Sequence, residues 1–304
     1  MTETLFTENQ YRAYQERVDK YIQAAAKSLD IPRKVLQADA TEYKASKRPK
    51  PADPRRETMM SLEGFNNTPH LEPTTFYLTL SHDAALIPKD VEAISGDNLL
   101  ADSVMAQTDN VIQDAEKIIF GGDTATANIG IVAAGTASSV AIGAGSDSDL
   151  TAYGDFINAI NKHLATIPSR LREMGVGVNI YMTQGMYLQL TTNTNTTTGE
   201  TEFDAVKNAF MSPSTDPSMR VNKIIATNAL LGSTTPSTSN QVMVTLIPDP
   251  SIVEVAVSRG VGIIGEEEHA TSYEVHTGWK GAGCVKDASG VIYSTAVTCT
   301  NAGL

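Results

Sequence analysis

The sequence predicts an α+β fold with helices concentrated early and strands late. Apolar residues at three- and four-residue spacing run over about 8–30, 97–120 and 150–174. From about residue 176 onward, short apolar or alternating runs dominate, as strands require. The chain has 304 residues, 41% hydrophobic and 19% charged, an ordinary globular composition with enough length for one large domain or two modest ones.

Thr7 is placed to cap a first helix over about 8–30. Tyr11, Tyr14, Val18, Tyr21, Ile22, Ala25 and Leu29 form its apolar stripe, and Pro32 stops it. Such a stripe fits core packing, or docking on another chain. The stretch "KASKRPKPADPRRE" (44–57) holds three prolines and six basic residues, which prevent a regular helix or a central strand. "TTFYLTLS" (74–81) then reads as a strand, so 43–80 is expected to form a long hairpin projecting from the body.

Asp97 is placed to cap the next helix, with Leu100, Val104, Thr108, Val111, Ala115 and Ile118 on one face. Gly121 and Gly122 end it after about 24 residues. Residues 123–148 are small and glycine-rich, and "NIGIVAAG" reads as partly strand-like. A further helix is expected over about 150–174, with Phe156, Ile160, Leu164, Ile167 and Leu171 inward. Strands are expected at 176–183, 222–230, 240–248, 251–257, 270–279 and 290–297, with short helices near 184–191 and 203–211.

Charge divides unevenly along the chain. Residues 1–56 carry 12 basic and 8 acidic residues, net +4, whereas 57–304 carry 11 and 27, net −16. A basic arm on an acidic body suits a chain whose arm meets a neighbouring copy. An acidic body excludes nucleic-acid affinity as its main task. No run of 18 apolar residues exists to form a membrane helix, and the polar start reads as neither signal nor transit peptide. Cys284 and Cys299 are too few for a disulfide framework or metal set, and reduced, partly buried thiols are expected.

Catalytic motifs are weak. Gly260, Gly262 and Gly265 spell G-x-G-x-x-G, but Glu266, Glu267 and Glu268 follow, and their charge would repel a pyrophosphate. These glycines are expected at turns or tight backbone contacts. His269 beside Glu268 suggests a metal, yet sequence neighbours on a strand face opposite ways. Asp147 and Asp149 supply only half a calcium loop. No catalytic, cofactor-binding or metal site is expected.

The element order, and above all "GDNLLADSVMAQTDNVIQDAEKIIFGGDTATANIGI" (96–131), resembles the Hong Kong 97-type fold of tailed-phage major capsid proteins and the related encapsulins. Glu116, Ile119, Phe120, Gly121 and Gly130-Ile131 occupy the places of the acid-hydrophobic-phenylalanine-glycine turn and the "GI" step. A weaker likeness covers "PSRLREMGVGVNIYMTQGMYLQL" (168–190). The resemblance implies an N-terminal arm (1–40), an extended loop (41–80), a peripheral domain (81–147 and 236–304) with a long spine helix, and an axial domain (148–235). It implies a non-enzymatic protein that assembles with itself, as hexamers and pentamers, into an icosahedral shell. That shell encloses double-stranded DNA, is built in the host cytoplasm and forms the virion capsid. Portal, scaffolding or cement proteins are its further partners; it needs no cofactor and no membrane. The alternative is an encapsulin-like compartment around a protein cargo. Lys47, Arg48, Lys50, Arg55 and Arg56 are the expected inter-subunit contacts.

Overall fold

The structure is a computed structural model that describes residues 8–38, 40–46, 73–90, 98–138 and 149–302. The first helix, α1 (Glu8–Ala25), passes through a 3-10 turn (Lys27–Asp30) into β1 (Arg33–Val35). Next come β2 (Glu42–Ser46), β3 (Pro73–Tyr77) and β4 (Thr79–Pro88). The long helix α2 (Asn98–Gly121) is followed by a short helix, α3 (Gly130–Ala134), and by β5 (Thr136–Ala137). The middle of the chain holds α4 (Asp155–Thr166), α5 (Ser169–Arg172), β6 (Val178–Met182), α6 (Gln184–Thr192) and α7 (Glu202–Val206). The strands β7 (Val221–Ala226), β8 (Gln241–Leu246), β9 (Val253–Glu268), β10 (Ser272–Val285) and β11 (Val291–Val297) complete it.

Two sheets organise these elements. The first has the order β1-β9-β10-β4; β1 runs parallel to β9, and the other pairs are antiparallel. The second has the order β5-β11-β8-β6-β7, parallel at both edge pairs and antiparallel within. A separate ladder joins β2 to β3, from Glu42 opposite Tyr77 to Ser46 opposite Pro73. The boundary expected between residues 235 and 236 falls between β7 and β8, which belong to this one second sheet.

The expected spine is present as the 24 residues of α2, about 36 Å at 1.5 Å per residue. Val104, Val111, Ala115 and Ile118 are buried along it, as their spacing predicts. It lies against β10, β4 and β9 of the first sheet. Its C-terminal half also joins the main core, where Val111, Ile118 and Phe120 meet Ile160, Leu164, Ile180, Tyr181 and Val244. One continuous core therefore links both sheets. Tyr14 and Val18 of α1 form a smaller cluster with Ala85, Ile87, Val104 and Val275. Tyr14 and Val18 of the expected stripe thus dock on their own chain. Thr7 and Asp97, the expected caps of α1 and α2, lie outside the described residues.

Three expectations need correction. "GIVAA" is helical, because Ile131 and Val132 are buried on one side of a single turn rather than alternating between two faces. The helix expected over 150–174 is two helices: Ile167 is extended (φ −68°, ψ 127°) ahead of Pro168, which disfavours helical geometry in the residue before it. Gly260, Gly262 and Gly265 lie inside the 16-residue strand β9 rather than at turns. A Cβ at Gly260 or Gly262 would meet nothing, so neither position needs a glycine for space. Cys284 and Cys299 are buried and unbonded, and burial pushes both thiols up to about 12.

Candidate assembly surface

Lys47, Arg48, Lys50, Arg55 and Arg56 all lie outside the described residues. The structure shows instead how the segment bearing them is rooted. Tyr43 on β2 and Phe76 on β3 stack with centroids 6.2 Å apart, and Ala45 is buried beneath them. Behind that ladder Lys286 Nζ lies 2.7 Å from Glu254 Oε1 and 5.9 Å from the Tyr43 ring centre. Burial, helped by the hydrogen bond and charge of Glu254, raises the Tyr43 hydroxyl pKa. Leu78, between β3 and β4, is buried with Ala256, Ala282 and Cys284. The root is therefore a packed, charge-paired joint on the first sheet.

The N-terminal segment is fixed to the spine in two places. Tyr14 Oη and Thr108 Oγ1 are 2.9 Å apart in a buried pair. One turn past the end of α1, Ser28 donates through its backbone N–H (3.1 Å) and its hydroxyl (2.5 Å) to the Glu116 carboxylate. Burial pushes the Glu116 carboxyl pKa up, while the Ser28 bonds and the Arg33 charge oppose that shift. Asp30 accepts from Lys223 Nζ at 2.6 Å, which ties the same turn to β7. The sequence marked Glu116 within a motif, but its partner 88 residues away carries no local signal.

The exit from the spine explains its glycines. Gly122 has φ +77° and donates to Ile118 O at 2.9 Å, closing the helix. The chain then turns back through paired bonds between Asp123 and Asn128 (2.7 and 3.0 Å). Gly130, at φ +72°, comes so close that a Cβ there would lie 2.2 Å from Gly122 N, and a Cβ on Gly122 would lie 2.3 Å from Asn128 O. Only glycine fits either position. Asn128 also reaches Thr79 Oγ1 at 3.4 Å, fastening the turn to the start of β4.

Large apolar side chains remain exposed on several elements. Leu80 and Leu86 project from β4 on the side opposite its buried residues, with Leu86 64% exposed. Val35 on β1 is 80% exposed, and Leu188 on α6 is also exposed. Glu268 pairs with Lys89 at 2.5 Å rather than with His269, in keeping with strand alternation. Asp147 lies outside the described residues. Among the described residues, no helix is long and apolar enough to cross a membrane.

No protein-family model matches the sequence, and neither does any curated protein. Solved structures do. A virus-like particle from Pyrococcus furiosus superposes with a TM-score of 0.60 at 10% identity, covering 95% of this chain and 99% of that one. The capsid of Myoviridae phage XM1 gives 0.60 at 11% identity, covering 88% and 90%. The capsid of a native GTA particle gives 0.57 at 10% identity, covering 98% and 93%. Identities this low speak for fold alone, and the fold is the expected one. The chain adopts the α+β, Hong Kong 97-type architecture of phage and virus-like capsids.

Proposed function

We propose that this chain is a major capsid protein that assembles with itself into a closed icosahedral shell, as the wall of a tailed-phage or related virion around double-stranded DNA. The observation that carries the reading is the superposition on capsid and virus-like-particle chains over nearly the whole length of both partners. A shell tile works through surfaces shared with identical copies rather than through a reactive pocket. Exposed apolar residues on β1, β4 and α6 and the β2–β3 ladder at the base of the expected loop fit that use. In this reading the protein is not an enzyme and takes no cofactor. Its partners are further copies in hexamers and pentamers, with portal, scaffolding or cement proteins joining during assembly in the host cytoplasm.

The proposed division of labour follows the sheets. Residues 1–40 serve as arm and 41–80 as extended loop, with the spine and first sheet as peripheral domain. The second sheet and the helices α4 to α7 form the axial domain, and β8 and β11 count with it. Lys47, Arg48, Lys50, Arg55 and Arg56 meet carboxylates of a neighbouring copy. The split between a +4 arm region and a −16 body supports this pairing. Reversing Arg48, Lys50, Arg55 and Arg56 together should leave a folded chain that no longer forms particles; normal particles from that variant would sink the pairing.

A compartment shell around a protein cargo is the second reading, favoured by the docking of α1 on the spine at the start of the chain. Sedimentation of the purified chain through a sucrose gradient tests the shared claim. A fast, uniform band supports a shell, and a band at the mass of one chain refutes it. Nucleic-acid staining of particles recovered from the native source then decides between DNA and protein contents. The acidic body should repel duplex DNA over about 8 Å at physiological salt, so DNA would have to be driven in rather than condensed by the wall.

A further inference from the structure

The end of the β9–β10 hairpin gathers ionisable side chains. Glu267 on β9 and Glu274 on β10 stand directly opposite each other in the ladder. Like charges at such a position destabilise a strand pair unless a cation lies between them. His276 stands two residues from Glu274 on β10, and His269 follows the end of β9 two residues after Glu267. His269 Nε2 lies 3.0 Å from Glu274 Oε2 and 3.9 Å from Glu267 Oε2. His276 Nε2 lies 3.3 Å from the other Glu274 oxygen, Oε1. Lys89, the lysine of this corner among the described residues, is engaged by Glu268. Among the described residues, imidazoles are the only basic groups paired with Glu267 and Glu274.

We infer that Glu267, His269 and Glu274 bind a divalent cation of the zinc class, with His276 holding the Glu274 carboxylate in place. The donor atoms of the three residues lie within 4.8 Å of one another. Metal–ligand bonds of about 2.1 Å in a tetrahedron place donors about 3.4 Å apart, between the 3.0 and 3.9 Å seen here. One imidazole and two carboxylates make three protein ligands and leave the fourth position to water. Nitrogen in the set favours zinc, cobalt or nickel over magnesium and calcium, which prefer oxygen alone. The ion would replace the repulsion between two facing carboxylates with a bond across the hairpin, stiffening the free ends of the two longest strands. The sequence hid this set because its partners are two apart on one strand and opposite on the next; the adjacent Glu268 pointed elsewhere. Cys284 and Cys299 are buried away from solvent and do not compete for added metal.

The test is calorimetric titration of the chelator-treated full chain with zinc chloride, and in parallel with magnesium chloride. Zinc should bind at one ion per chain and magnesium should not. His269→Ala and Glu274→Gln, both surface changes that leave the fold intact by circular dichroism, should each abolish zinc binding. His276→Ala should weaken it about tenfold or more, as loss of a group that orients a metal ligand does. Cobalt in place of zinc should give visible absorption bands of tetrahedral intensity that disappear in His269→Ala. No zinc binding by the parent chain, or undiminished binding by His269→Ala, overturns the assignment. Neither outcome bears on whether the chain forms shells.

Discussion

The two sheets bury their strands differently. In the second sheet all five residues of β6 and all six of β8 are buried. In the first, β4 alternates strictly enough that Leu80, His82, Ala84, Leu86 and Pro88 all face outward. The second sheet is covered on both faces within one chain, like the core of an independent globular domain. The first is covered on one face by the spine and α1; on its other face Ala256, Ala282 and Cys284 are packed under Leu78, Tyr43 and Phe76, and β4 alone presents an alternating open row. One region is thus finished by the chain itself, and the other is left open along β4, at the edge of its sheet.

Four substitutions test that contrast, in descending order of cost. Val111→Asp puts a charge at a spine position only 1% exposed, within a cluster of apolar side chains. It should cost more than about 4 kcal/mol and leave little soluble protein. Wild-type yield and an unchanged urea midpoint would show that this face is not buried.

His163 comes next. It is fully buried on α4 beneath the second sheet, with Nδ1 3.0 Å from Thr245 Oγ1 and Nε2 2.8 Å from Ser294 Oγ. Burial lowers its pKa to about 3. In the unfolded chain the imidazole takes a proton below about pH 6.5. Between these values the unfolded state binds more protons, so stability is full above about pH 6.5 and falls as pH drops. The expected slope for this group approaches about 1.4 kcal/mol per pH unit. His163→Gln retains polar atoms but does not titrate, so the parent should lose stability relative to it on acidification. Parallel pH profiles for the two proteins would contradict the buried neutral imidazole.

Tyr14→Phe removes the hydroxyl paired with Thr108 and keeps the ring in the small cluster. A cost of about 1 kcal/mol is expected, and it should fall on the docking of α1 rather than on the second sheet. Hydrogen exchange would report it as faster opening confined to the N-terminal helix. Leu86→Asp, on the open face, should change stability by less than about 0.5 kcal/mol. A loss comparable to Val111→Asp would mean that the open face is covered after all.

How much was legible in the sequence follows the same contrast. The spine was readable to within a residue or two because 24 residues repeat one apolar stripe and end at paired glycines. The reason for those glycines was not, since the collision between Gly122 and Gly130 depends on a turn that only the folded chain shows. "GIVAA" misled because five small and branched residues carry no period. The glycines of β9 misled because a motif was visible, whereas the long antiparallel partner that makes them strand residues was not. The rooting of the β2–β3 ladder brings Tyr43 to Lys286 and Glu254, more than 200 positions away, and left no local trace. The expected contacts Lys47, Arg48, Lys50, Arg55 and Arg56 rest on charge pattern and resemblance alone.

The central claim is that this fold is a tile, completed on its open side by copies of itself. Negative-stain electron microscopy of the purified full-length chain tests it most directly. Hollow, closed particles of uniform diameter should form without added nucleic acid. A field of single small globules at concentrations where shells should form, with the chain folded by circular dichroism, would contradict it.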